Sequence, residues 1–372
     1  MATPLRVTLD ATPLLGVRTG VGRYVASLVA ALAAHDPAEL DLALTAFTWR
    51  TGRRPVVPGA RWRHRPAPAR ALRAAWTRSP LPPVEWLAGR CDVFHATNFV
   101  LPPARRAAGV VTVHDLAFLR FPVTVSRASQ AYATLVPAGV RRAARVLCPS
   151  QAIADEVAHE YGLPAGQVLA TPLGVDAGWS AARPPSAAGR ARLGLPARYV
   201  LFVGTREPRK DLGTLLAAHR AARDADPDAV PPLVVAGPAG WGTDRTDAAT
   251  RPGPDVAVTG FLAEDDLRAV VAGAACVVLP SLYEGFGLPV LEALACGVPV
   301  LASDLPALRE VGGTVCAYAP VGDVDAFAAA LVALCREPGE PVARRAQAAG
   351  FTWRACAERT LEAYRQARAT ML

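Results

Sequence analysis

The chain has 372 residues, well over twice the ~150 of a typical domain, so two domains are expected. Its 52% hydrophobic and 19% charged residues exclude a disordered chain, and no apolar run reaches the ~18 residues of a membrane-spanning helix. The net charge of +8 is uneven: residues 1–175 hold 20 Arg against 10 Asp and Glu, while residues 176–372 hold 20 Lys and Arg against 22, so the two halves are expected to meet different partners.

In the first half, short apolar runs predict strands at Leu5–Leu9, Leu40–Phe47, Val93–His95, Val110–Val113 and Val146–Cys148. Helices are predicted over Gly22–Ala34, Ser129–Arg142 and Gln151–Tyr161. Residues 177–197, with Pro184, Pro185 and Pro196, read as a linker with room for one short helix. A second series follows, with strands at Tyr199–Val203, Leu233–Ala236, Val256–Val258, Cys276–Leu279 and Val298–Ala302. Its helices are Leu212–Asp224, Glu264–Gly273, Pro289–Cys296 and Val324–Cys335, and a helix from about Trp353 to Ala369 closes the chain. Strands alternating with helices predict parallel sheets covered on both faces, here two doubly wound α/β domains. The expected ligand site is the cleft between two facing sheets, outside the carboxyl ends of their strands.

Seven cysteines, at 91, 148, 276, 296, 316, 335 and 356, form no Cys-x-x-Cys pair. Neither a zinc site nor a disulfide framework is expected, and a reducing cytosol is the simplest location. The N-terminus runs straight into a strand with no basic segment and apolar core, so no signal peptide is expected. No nucleic-acid module is present, and nucleic acid is not expected as a partner.

The segment Pro280-Ser281-Leu282-Tyr283-Glu284-Gly285-Phe286-Gly287-Leu288-Pro289-Val290-Leu291-Glu292 joins a strand to a helix. Gly285 and Gly287 allow a tight turn and a close approach of backbone to ligand. The free N–H groups at the following helix start suit a phosphate. Carboxylates on both sides, Glu284 and Glu292, suit hydroxyls on both sides of that phosphate, as in a nucleotide sugar. A second strand-to-helix junction, Gly204-Thr205-Arg206-Glu207-Pro208-Arg209-Lys210-Asp211, holds Lys210, the one lysine among 40 basic residues. Arg209 and Lys210 are suited to neutralise a diphosphate, although the segment is no P-loop.

These segments resemble the retaining glycosyltransferases of family 4, which have the GT-B fold. The two glutamates with seven residues between them, around Gly-Phe-Gly-Leu-Pro, are that family's signature. Thr19-Gly20-Val21-Gly22-Arg23-Tyr24, His114-Asp115-Leu116, Pro149-Ser150, Pro172-Leu173-Gly174-Val175-Asp176 and Thr259-Gly260-Phe261 match in the same order. The Arg-Lys segment and the His95 and Asn98 pair resemble the mannosyltransferase-like branch. The resemblance implies an N-terminal acceptor-side Rossmann-like domain over residues 1–176, joined by the crossover helix 353–372. A linker at 177–197 leads to a nucleotide-sugar-binding domain over 198–352. It implies that Arg209 and Lys210 bind the donor diphosphate and Glu284 the donor-sugar hydroxyls. The backbone from Gly285 through Phe286, Gly287 and Leu288 would cradle sugar and phosphate. Glu292 would take the ribose, and Phe261 and Leu262 would frame the base. Gly20 and Gly22 would form a loop closing over the phosphate, and His114 would lie by the reacting carbon. Asn98 and Ser150 are acceptor- or donor-side candidates. One departure is Thr205, where many relatives have Arg; either Arg206 or Arg209 then supplies the guanidinium, and Arg209 is preferred.

The family mechanism retains anomeric configuration and needs no metal or other cofactor. Asp224-Ala225-Asp226 and Asp323-Val324-Asp325 accordingly read as loop or cap residues rather than metal ligands. Between Trp49 and Trp86 the chain carries Arg50, Arg53, Arg54, Arg61, Arg63, Arg65, Arg70, Arg73 and Arg78, interleaved with Trp62 and Trp76 and without acids between Asp41 and Glu85. This pattern suits peripheral contact with an anionic membrane face, a lipid-linked acceptor or a stacked natural product; a solvated surface is the alternative. The function expected is transfer of a hexose from a nucleoside-diphosphate sugar, GDP-mannose first and a UDP-sugar second. The alternatives are a silent nucleotide-sugar-binding subunit and an epimerase on the same fold. A dinucleotide oxidoreductase is disfavoured, because Val25 stands where a third glycine belongs.

Overall fold

A computed structural model describes residues 3–371 except 17–19, 50–53, 64, 77–78, 242–252 and 254. Thr19, Arg50, Arg53 and Arg78 therefore lie outside the described residues. The chain divides into two compact units, Met1–Leu119 with Arg127–Gly174 and Thr352–Leu372, and Arg120–Ser126 with Val175–Phe351.

The first unit holds a seven-stranded sheet of β1 (Leu5–Asp10), β2 (Leu40–Thr45), β3 (Ala60–Trp62), β4 (Val93–Ala96), β5 (Ala108–Thr112), β6 (Arg145–Cys148) and β7 (Val168–Ala170). The order is β3-β2-β1-β4-β5-β6-β7 and every ladder is parallel. The chain winds outward from β1 to β3, then returns to lay β4 on the other side of β1. That reversal opens a crevice beyond the carboxyl ends of β1 and β4. The second unit holds β8 (Val200–Val203), β9 (Leu233–Ala236), β10 (Val256–Gly260), β11 (Cys276–Leu279), β12 (Val300–Ser303) and β13 (Ala317–Ala319), again all parallel, in the order β10-β9-β8-β11-β12-β13. Its reversal lies between β8 and β11.

Strands β8, β9, β11 and β12 are buried at every position, as parallel strands covered on both faces must be. Phe202, Leu215, Val235, Val278 and Phe327 share one core, each such side chain contributing about 1.5–3 kcal/mol by leaving water. In the first unit the Gly20–Ala33 helix buries Tyr24, Val25, Leu28, Val29 and Leu32, one face of a 3.6-residue period. It starts two residues earlier than its pattern predicted. Gly20 and Gly22 thus occupy its first turn instead of a loop.

The closing helix, Trp353–Ala369, is capped by the Thr352 hydroxyl and belongs to the first unit. Its Tyr364 hydroxyl lies 2.6 Å from His95 Nδ1, His95 Nε2 lies 2.7 Å from Thr112 Oγ1, and that oxygen meets the Tyr24 hydroxyl at 2.9 Å. His95 is fully buried; burial, then the neighbouring His114, lowers its pKa to about 3, so it stays neutral. Its role is to pin the closing helix to β4 and β5.

Three stretches differ from the sequence reading. Residues 177–197 are packed into the second unit: Trp179 is buried, Cys296 Sγ donates to its carbonyl at 3.2 Å, and Arg192 pairs with Asp266. Residues 120–126 also group with that unit; the rings of Phe121 and Tyr283 lie 5.7 Å apart, and Trp241 Nε1 donates to the Thr124 carbonyl. The Arg/Trp region forms β3 and a helix over Ala69–Trp76, and its tryptophans part company. Trp49 and Trp86 are exposed, whereas Trp76 is buried with Nε1 bound to the Pro82 carbonyl. No helix among the described residues is long and apolar enough to cross a membrane.

Candidate functional site

In the second unit, β8 leads through Gly204 into a short 3-10 turn, Pro208–Lys210, and β11 leads into the turn Pro280–Gly287. The backbones join where Leu282 N–H donates to the Arg209 carbonyl, 2.9 Å. This places Arg209, Lys210 and Glu284 in one cluster. Lys210 Nζ donates to Glu284 Oε1 at 2.5 Å and Ser281 Oγ to the same oxygen at 2.7 Å. Arg209 Nη1 reaches the Tyr283 carbonyl at 2.7 Å and Glu284 Oε2 at 3.3 Å, while its Nη2 pairs with Glu207 at 2.8 Å. The Lys210 and Glu284 side chains are only 14% and 8% exposed. Burial by itself would raise the Glu284 carboxyl, but the charges of Lys210 and Arg209 outweigh it, and with the hydrogen bonds from Lys210 and Ser281 they hold it at about 2. The guanidinium beside Glu284 is that of Arg209. Thr205 is half-buried, and the backbone of Arg206 forms a parallel bridge with that of Ala239.

The turn ends at Gly287, whose φ of 98° lies in the left-handed region. A Cβ there would run into Leu308 Cδ2, so glycine is required on two counts. Gly287 is the N-cap of the Leu288–Cys296 helix and supplies no capping side chain, and Pro289 stands in the first turn. Gly285 and Phe286 are buried in the turn, Phe286 edge-on to Phe351, so the turn offers backbone rather than side chain. Glu292 is buried one turn into the helix. Leu262 is buried and Phe261 is 59% exposed just past β10. Asp211, next to Lys210, caps the following helix at a φ of 44°, a strained value for a non-glycine residue. Asp323 caps its own helix through the Ala326 N–H, and Asp226 is bound by Ala229 N–H and Arg336.

The first unit has a pocket of about 410 Å³ at its own switch point. Asp10 ends β1 and Asn98 follows β4; both line it, with Thr12 and Arg73, and with the rings of Phe47, Trp76, Phe99 and Tyr132. Asp10 Oδ1 accepts from Thr12 N–H at 2.9 Å and Thr12 Oγ1 at 2.5 Å. Burial raises the Asp10 pKa; the two Thr12 hydrogen bonds and the charge of Arg73 offset this in part. Phe99 has a φ of 61°, held as its N–H donates to the Thr112 carbonyl and the Val100 N–H to the Asn98 carbonyl. His114 donates from Nε2 to the Thr97 carbonyl at 2.9 Å and packs edge-on to Tyr24 and Phe99. Burial lowers its pKa, so it presents a neutral ring with Nδ1 as acceptor. Ser150 is fully buried as the N-cap of the Gln151–Tyr161 helix and does not line the pocket.

Sequence reasoning missed Asp10 and Tyr132 in this pocket, and Ser281 and Glu207 in the cluster; Arg73 it named only as part of the Arg/Trp region. The available signal was position: Asp10 is the polar residue ending an apolar strand that flanks a switch point.

Two parallel sheets of this winding, each with a polar site at its reversal, have the architecture of the GT-B class. The description "Glycosyltransferase Family 4" matches residues 18–179 and "Glycosyl transferases group 1" matches residues 197–337. The O-antigen chain mannosyltransferase B of Escherichia coli is 30% identical over 285 residues, 73% of this chain and 74% of that one. A D-inositol 3-phosphate glycosyltransferase of Kineococcus radiotolerans is 34% identical over 261 residues, 61% of this chain and 58% of that one. Sucrose-phosphate synthase from Thermosynechococcus elongatus superposes with a TM-score of 0.77 at 23% identity, covering 98% of this chain and all of that one. The Anabaena protein HepE, solved with UDP and glucose, superposes with a TM-score of 0.67 at 16% identity over 97% and 99%. The chain belongs to glycosyltransferase family 4.

Proposed function

We propose that the chain transfers a hexose from a nucleoside-diphosphate sugar to a hydroxyl acceptor with retention of anomeric configuration and without a metal ion. The observation that carries this reading is the Arg209–Lys210–Glu284 cluster beside the start of the Leu288–Cys296 helix. A diphosphate arriving there takes over the charge of Arg209 and Lys210 and meets the helix N-terminus. Glu284 is thereby freed to accept hydrogen bonds from sugar hydroxyls. Glu292 takes the ribose, and Phe261 and Leu262 border the base. The bond from the anomeric carbon to the diphosphate oxygen breaks, the acceptor oxygen bonds to the same face, and its proton passes to the diphosphate. The protein positions the reactants and stabilises the charge on the leaving group.

GDP-mannose is the first donor reading: the resemblance to the mannosyltransferase-like branch suggests it, and the name of the Escherichia coli relative supports its sugar, mannose. A UDP-sugar is the second reading, favoured by the UDP in the HepE structure. Calorimetric titration of the chain with GDP, UDP, ADP and TDP in chelator tests both. Preference for GDP fixes the first and preference for UDP the second. Binding that appears only with manganese refutes metal independence, and binding of none refutes the proposal.

A further inference from the structure

The Leu288–Cys296 helix is built around two arginines at the end away from Gly287. It stops at Gly297, whose φ of 80° lies in the left-handed region. A Cβ there would stand 2.8 Å from Arg345 Nε, so glycine leaves the room that this side chain occupies. Both arginines come from the Pro341–Ala349 helix. Arg345 is exposed, and its Nη2 donates to the Cys296 carbonyl at 3.1 Å. Arg344 is only 5% exposed. Its Nε donates to the Gly297 carbonyl at 2.8 Å, its Nη1 to the Pro338 carbonyl at 2.5 Å and its Nη2 to the Gly339 carbonyl at 3.2 Å. Among the described residues no carboxylate pairs with it, and Glu340, the acid that acts on it from further off, is exposed. Burying an unpaired charge is costly, and a neutral amide could tie part of the same carbonyls without that cost. The helix itself carries a partial negative charge at this end and a partial positive one at its start. A full positive charge on the negative end cancels it and leaves the positive end unopposed. The helix has 9 residues, about 13 Å at ~1.5 Å per residue. Over that distance, at an effective dielectric constant of about 20, one unit charge changes affinity for another by about tenfold.

We infer that Arg344 is a remote determinant of donor affinity: its buried charge, seated on the carboxyl end of the Leu288–Cys296 helix, strengthens the hold of the amino end on the donor diphosphate. Arg344 touches no substrate; it is a positioning residue that acts through the helix. The inference rests on the proposed placement of the diphosphate at the helix start. Two variants separate charge from shape. Arg344→Lys keeps the charge and loses the planar fork, whereas Arg344→Met keeps an apolar stem and loses the charge.

The test is titration of the full chain with GDP and UDP, by calorimetry, and with the uncharged guanosine and uridine, by ligand-observed NMR. The quantity read is the ratio of diphosphate to nucleoside affinity for the same base. Loss of folded protein lowers both affinities alike and leaves that ratio fixed. Arg344→Met is expected to lower it about tenfold, and Arg344→Lys to keep it within about twofold of wild type. Arg345→Met, which removes an exposed and screened charge at the same helix end, should move it by less than about twofold. An unchanged ratio in Arg344→Met overturns the inference. So does a fall of about tenfold in Arg344→Lys, a result that decides the matter even where the Met variant does not fold. A fall in Arg345→Met equal to that in Arg344→Met also overturns it, because burial would then be irrelevant. Wild type that binds neither diphosphate overturns the transferase reading and this inference with it; wild type that binds one, with the ratio unmoved in Arg344→Met, overturns the inference alone.

Discussion

At the switch point of the second sheet, a carboxylate, Glu284, is enclosed by Lys210, Arg209 and Ser281; at that of the first, a carboxylate, Asp10, accepts hydrogen bonds from Thr12, its one side-chain partner among the described residues. The winding is the same and both sites hold a strained non-glycine residue, Asp211 at φ 44° and Phe99 at φ 61°. The chemistry is opposite. Cations lower the Glu284 carboxyl to about 2, whereas burial raises that of Asp10. One sheet thus presents a carboxylate ringed by cations, and the other a carboxylate bound by a hydroxyl and a backbone N–H. One topology places a crevice in each unit, and a few side chains at the strand ends decide what each holds.

The variants that break this contrast differ in size of effect. Glu284→Gln removes the charge that Lys210 and Arg209 face and should lower kcat by about 10²-fold or more if the site orders the donor. Steady-state kinetics on each donor measures it, and wild-type turnover would remove Glu284 from the site. Gly287→Ala forces a side chain onto Leu308 at a left-handed φ. It should cost about 1–3 kcal/mol and weaken nucleotide binding, read by denaturant melts and calorimetry. Tyr364→Phe leaves His95 Nδ1 without its partner and should destabilise by about 1–3 kcal/mol, with nucleotide affinity unchanged. Ser150→Ala removes only a cap and should cost about 1 kcal/mol without changing the acceptor KM. A changed KM would return Ser150 to the site.

Acid sharpens the same contrast. The folded pKa of Glu284, about 2, is below its ordinary 4.5, so the unfolded chain binds this proton first as pH falls. Its stabilising contribution is complete above pH 4.5 and lost progressively toward pH 2. Glu284→Gln should therefore show a shallower loss of melting temperature across that window than wild type; an identical slope would count against the buried charge cluster.

Much of this was legible beforehand. The strands Leu233–Ala236 and Cys276–Leu279 and the helix Gln151–Tyr161 coincide with their apolar patterns, because fully covered parallel strands read as unbroken apolar runs and Ser150 and Gly162 mark the helix ends. Less legible were β3, β7 and β13, three residues each and half-exposed, too short for a periodic signal. The predicted helix Ser129–Arg142 is two helices, Arg127–Gln130 and Tyr132–Arg142. Residues 177–197 looked like a linker for their prolines, yet Trp179 is buried.

The sequence by itself determined the class: the alternation of strand and helix, the glycines of the Pro280–Gly287 turn, and the isolated lysine at Lys210 follow from local pattern and composition. Only the tertiary structure decided the partners. Lys210 meets Glu284 across 74 positions because β8 and β11 are neighbours, and His95 meets Tyr364 across 269 because the closing helix packs on the first sheet. It likewise decided that Asp10 faces a pocket and that Ser150 is a buried cap. Local pattern reports what a segment prefers; which distant groups share a low-dielectric space is set by strand order and packing, and that sets charge and pKa.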